Sequence, residues 1–154
     1  MKRLFGILLG FLLFSACDSS FQSSIPDYPV SLELDLRFED KELRAVQAYK
    51  IYTLRNININ LERCGFGGVL VYHGVNSLAT DAFYAFDIAC PYEAQSNITV
   101  EVDNEGIYAI CPKCGSKYEL INGVGNPVEG VSKEYLKQYR VDVDINGEKI
   151  YVHN

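Results

Sequence analysis

Between Val30 and Phe38 the chain alternates strictly, with Leu32, Leu34, Leu36 and Phe38 against Glu33, Asp35 and Arg37. A period of two with one polar face predicts a half-buried antiparallel strand. The same texture recurs to the C-terminus. Ala45 to Leu54 reads as a second strand, with Tyr49, Ile51 and Thr53 on one face. Val69 to His73 and Phe83 to Ala89 read as short buried strands. Thr99–Val102 and Ile107–Ile110 flank the turn Asp103-Asn104-Glu105-Gly106, and Lys117 to Ile121 forms another strand. Val141–Ile145 and Glu148–Val152 surround Asn146-Gly147, the strongest two-residue hairpin signal present. Glu39 to Arg44 is a charged connection with room for one helical turn, and only Ser132 to Gln138 carries a helical period. Asn56 to Asn60 alternates too, but its asparagines favour a loop. The expected class is all-β, a small antiparallel sandwich or barrel.

The first residues define a separate segment. Met1-Lys2-Arg3, the apolar run Leu4 to Phe14 and then Ser15-Ala16-Cys17 read as a secretory signal, too short to span a bilayer as a helix. A cysteine after Ser15-Ala16 resembles a bacterial lipoprotein signal, with Phe14 where leucine is usual. The resemblance implies cleavage after residue 16, lipid on Cys17 and a location on the bacterial envelope membrane, facing the periplasm. Several acyl chains on one residue give a stable anchor. Residues 17–29 then form a lipidated, serine-rich tether closed by Pro26 and Pro29, and 30–154 the folded domain. Loss of Lys2 and Arg3 takes the basic residues from 14 to 12 against 20 acidic ones, a net charge of about −8. Nucleic acid and anionic lipid surfaces are poor partners for such a chain.

The chemistry gathers between Cys90 and Gly130. Cys90-Pro91-Tyr92 opens the stretch, Cys111-Pro112-Lys113-Cys114-Gly115-Ser116 continues it, and Gly125-Asn126-Pro127-Val128-Glu129-Gly130 closes it. This resembles the cluster-binding half of a Rieske iron–sulfur domain, over roughly residues 68–143, with a cluster-binding-like subdomain at about 88–130. In that family each of two loops supplies one cysteine and one histidine to a [2Fe-2S] cluster, the thiolates on one iron and the imidazoles on the other. Cys90 and Cys111 fall on the cysteine positions, Tyr92 on the first histidine position and Cys114 on the second. Gly115-Ser116, Tyr118, the flanks Ala85-Phe86-Asp87 and Tyr139-Arg140-Val141 also fit. Asn126, Pro127 and Gly130 correspond to the loop that covers the cluster.

The resemblance implies a membrane-anchored electron-transfer protein with an altered cluster, working with a redox partner protein. The ligand set leaves other outcomes open. A phenol with a pKa near ~10 must lose its proton to bind, so Tyr92 reads as a packing or hydrogen-bonding residue before a ligand. Cys-x-x-Cys with one distant Cys also suits zinc, with Cys64 or His73 as candidates for a fourth ligand. An oxidising compartment favours disulfides among the same thiols, leaving a structural or binding lipoprotein. Export bears on this choice: folded, cluster-loaded proteins normally travel on a twin-arginine signal, which Lys2-Arg3-Leu4-Phe5 matches only in part. Catalysis has little sequence support, since there is no Ser-His-Asp order, no HExxH and no pair of carboxylates in a recognisable setting.

Overall fold

The computed structural model describes residues 23–76, 78 and 81–154; the signal segment, Cys17 and the first part of the tether lie outside them. The described residues form eleven strands and one 3₁₀ turn. β1 (Val30–Asp35), β2 (Tyr49–Tyr52), β3 (Arg63–Cys64), β4 (Val69–Val75), β5 (Asp81–Asp87), β10 (Gln138–Val143) and β11 (Lys149–His153) build one antiparallel sheet in the order β2-β4-β5-β10-β11-β1-β3. Tyr52 and Cys64 come from opposite edges of this sheet yet share one core with Leu32, Leu34, Val71 and Ile150, so the sheet curls into a nearly closed barrel. The bend lies in β10. Gln138 and Tyr139 pair with β5, whereas Arg140 to Val143 pair with β11.

A second, four-stranded sheet contains β6 (Glu101–Val102), β7 (Tyr108–Ile110), β8 (Lys117–Glu119) and β9 (Pro127–Glu129) in chain order. Strand alternation lets β4 and β5 serve both halves. Val69, Val71 and Ala85 face the barrel core, while Leu70, Tyr72 and Phe86 pack with Val100, Ala109, Tyr118 and Leu120 in a second core. The class is all-β, as the alternation requires. No helix among the described residues is long and apolar enough to cross a membrane.

Three local expectations are corrected. β1 stops at Asp35 because the Asp40 carboxylate accepts its backbone N–H at 2.8 Å; Leu36 is still buried, but Phe38 is 68% exposed. The second strand is shorter than Ala45 to Leu54: β2 spans only Tyr49–Tyr52, ending where the buried Tyr52 hydroxyl donates to Asp40 at 2.6 Å. Ser132 to Lys137 is irregular rather than helical, and Gln138 already belongs to β10. Leu136 is buried there and its N–H donates to the Gly125 carbonyl, tying the segment to the loop before β9. The 3₁₀ turn at Lys41–Arg44 is the single helical turn anticipated before β2.

Candidate metal centre

Each half of the centre is a turn fixed by backbone hydrogen bonds. In the first, the Cys90 N–H donates to the Ile98 carbonyl and the Ala94 N–H to the Cys90 carbonyl. In the second, the Gly115 N–H returns to the Cys111 carbonyl and the Cys111 N–H reaches the Ser116 carbonyl. Gly115 has φ +71°, a left-handed conformation that closes this turn without the steric cost of a Cβ. Lys113 and Glu93 bridge the two loops with a 2.6 Å ion pair.

These turns bring the sulfurs of Cys90, Cys111 and Cys114 within 4.8 Å of one another. Cys90 and Cys111 are fully buried in the second core, and Cys114 is half-buried. The Cys90 and Cys114 sulfurs stand 3.7 Å apart. Two oxygen donors flank them. The Tyr118 hydroxyl, itself buried, lies 3.6 Å from the Cys90 sulfur, and the Ser116 hydroxyl 3.2 Å from that of Cys114. Burial pushes the Cys90 thiol up to about 11, against the opposing pull of the Tyr118 hydrogen bond. Burial also works against ionisation of Cys114, but hydrogen bonds from the Ser116 side chain and backbone, and from its thiol neighbours, bring it below its ordinary value.

The loop after β9 closes over the second turn. Gly130 has φ +95°, and a Cβ built there would lie 2.5 Å from Ser116 Cα and 2.9 Å from its N and Oγ. The Ser132 N–H donates to Ser116 Oγ at 3.0 Å, so one hydroxyl joins the covering loop to a cysteine turn. Gly130→Ala combines an unfavourable φ with a backbone clash and should cost about 2–4 kcal/mol. Thermal unfolding would register that loss, and a chelator should strip metal faster from the variant.

Of the other sequence candidates, Tyr92 is 56% exposed on the rim of the first turn. Asn126 and Pro127 lead into β9; the Asn126 carbonyl accepts the Glu119 N–H, and Pro127 lies opposite Tyr118. Cys64 belongs to the barrel core rather than the thiol group. His73 lies in β4, stacks on Phe83 at 4.3 Å and donates from Nδ1 to the Leu43 carbonyl. Neither joins the cysteine trio, which leaves zinc without the fourth protein ligand considered for it.

Asp87 had no role assigned beyond its place before the first loop. Its buried carboxylate accepts from the N–H groups of Phe66, Gly67 and Ala89 at 2.8–3.0 Å and from the Tyr139 hydroxyl at 2.7 Å. One side chain therefore fixes the Gly65–Gly68 segment between β3 and β4, β10 and the entry to Cys90. The sequence signal was an acid at the end of an apolar strand, far from Tyr139 along the chain.

No family model and no curated protein matches the sequence. Among solved structures, the chain is similar to one from the complex of reduced oxygenase and oxidised ferredoxin in carbazole 1,9a-dioxygenase. The two are 20% identical, with a TM-score of 0.48, and the match covers 80% of this chain and 93% of that one.

Proposed function

We propose that this chain is a Rieske-like electron carrier of the bacterial envelope, anchored through lipid on Cys17, with a metal centre on Cys90, Cys111 and Cys114. The observation that carries the reading is the meeting of three sulfurs from two hairpin turns beneath a covering loop. The donor set fits three of the four ligand positions of a [2Fe-2S] cluster. Cys90 and Cys111 would hold the buried iron and Cys114 the outer one, beside Tyr92 or solvent. Such a cluster supplies one-electron chemistry when bound. The protein's part is to exclude water through the second core and to direct the Ser116 and Tyr118 hydroxyls at thiolate sulfur. A thiolate in place of an imidazole adds negative charge, so the potential should fall below the about −150 mV lower limit of His-ligated centres.

A specific observation favours a second reading. Thiolate bonds of about 2.3 Å at tetrahedral angles set sulfurs about 3.8 Å apart, close to the 3.7 Å between Cys90 and Cys114. A single zinc, with one further ligand from solvent or a partner, suits that spacing and would make the chain a structural or binding lipoprotein.

Metal and acid-labile sulfide analysis of protein taken from its own membrane, without added metal, separates the two. Iron and sulfide in equal amounts, with a reversible one-electron signal, is the expected result. Zinc without sulfide selects the second reading, and oxidised thiols without metal defeat both. The anchor has its own test. Cys17→Ser should move the protein quantitatively from the membrane to the soluble periplasmic fraction, and retention in the membrane fraction would refute lipidation.

A further inference from the structure

We infer that the thiol-bearing end of the domain is the end held against the membrane, and that the partner at this end is a protein embedded in that membrane. The inference rests on the lipid-anchor reading of Cys17. β1 places Asp35 opposite Lys149 near the β10–β11 hairpin, and its first residue, Val30, at the other end of the barrel. Upstream of Val30 the chain continues towards the thiols. Asp27 is ion-paired with Lys137, Ile25 is buried, and the Ser24 hydroxyl donates to the Glu134 carboxylate at 2.8 Å. The path from there to the centre is short. The Glu134 N–H donates to Ser132 Oγ, the Ser132 N–H to Ser116 Oγ, and Ser116 Oγ lies 3.2 Å from the Cys114 sulfur.

The covalent reach from Ser24 back to Cys17 is at most about 25 Å, seven residues at full extension. A domain of this length has an expected radius of gyration near 14 Å, equivalent to a sphere about 36 Å across. The tether is therefore shorter than the domain is wide, so Ser24, and the end of the domain it is bonded to, cannot be carried to the side facing away from the bilayer.

The surface at that end suits a protein partner. Tyr92, Val128 and Val131 are 56%, 49% and 52% exposed, and they come from both the first cysteine turn and the covering loop. Asp35, Asp142, Asp144 and Glu148 collect at the opposite, hairpin end. The acidic net charge disfavours direct seating on anionic lipid, so the partner is an integral protein presenting an apolar patch beside the bilayer.

The chain contains no tryptophan, so one introduced indole reports alone. Val131→Trp marks the thiol end, and Ile145→Trp, at a fully exposed hairpin position, marks the other. Each full-length lipidated variant is placed in phosphatidylethanolamine–phosphatidylglycerol vesicles carrying a dansyl-labelled headgroup. Energy transfer severalfold greater from position 131 than from 145 is expected; equal or reversed transfer overturns the orientation. Brominated acyl chains should leave Val131→Trp unquenched, and quenching would make lipid the occupant, overturning the protein partner. In native membranes, a photo-crosslinking residue at 131 should join an integral membrane protein that one at 145 does not. Adducts only to a second copy of this chain, or to soluble proteins, also overturn it. If Cys17→Ser remains membrane-bound, the anchor reading fails instead, separately from the orientation measured in vesicles.

Discussion

Cys111→Ser should strip the bound metal and lower the melting temperature to that of chelator-treated wild type. Cys111 is fully buried beside the other two thiols and is held by backbone bonds to Ser116 and Gly115. A serine oxygen there is a harder, shorter ligand that cannot reach the same point. Loss of an outer hydrogen-bond partner costs about 10- to 100-fold in metal affinity, and loss of a thiolate ligand should exceed that. Metal present at about a thousandfold over Kd stabilises the fold by about 4 kcal/mol. For a domain of this size that is roughly 15 °C in Tm. Metal analysis and calorimetry, with and without chelator, check both parts. A variant that keeps its metal and its Tm would show that the centre lies elsewhere.

Asp87→Ala should be as damaging, and independently of metal. It removes the acceptor for three backbone N–H groups and for the Tyr139 hydroxyl in a site with no solvent access. An unsatisfied buried donor costs about 1–3 kcal/mol. The four share one neighbourhood and are not additive, so a total of about 4 kcal/mol is expected. Asp87→Asn keeps the shape but turns one acceptor into a donor facing other donors, and should cost about half as much. Urea titration at constant m-value measures both changes. A loss below about 1 kcal/mol for the alanine variant would contradict this bonding scheme.

These two residues differ in how readable they were. Cys111 stands in a spaced pair with Cys114, and thiols at that spacing have few purposes. The grouping of Cys90 with them followed from the resemblance of the two loops to a known cluster-binding pattern, and the sulfurs do meet. Asp87 had little local signature, because only Ala89 is a near neighbour and its other partners lie 20, 21 and 52 residues away in sequence. The strands show the same division. Alternation marked β1 and β11 because each buries one face along its length, and the Asn146-Gly147 turn marked the hairpin to β10, whose far end at Val143 is exposed. Alternation did not single out Tyr52 in β2, which a buried acid, Asp40, draws inward. It suggested a helix at Ser132–Gln138 because Leu136 and its neighbours have that spacing. Ser132 instead spends its hydroxyl on the Glu134 backbone, and Leu136 is held by Gly125. The contact of Ser24 with Glu134, 110 residues apart, is likewise a tertiary fact.

The wall formed by β4 and β5 gives the molecule a preferred order of coming apart. Its amides are protected by a seven-residue ladder between the two strands and by packing from both faces, whereas β6 to β9 pair over only two or three positions each and face the second core from one side. Local opening follows such differences in buried contact. On metal loss, residues 100–130 should exchange their amide hydrogens as one unit while the wall and barrel retain theirs. Cys111 and Cys114 then lie on a flap that opens without global unfolding while Cys90 stays on the segment leaving β5, so the barrel should remain intact through a metal-poor interval.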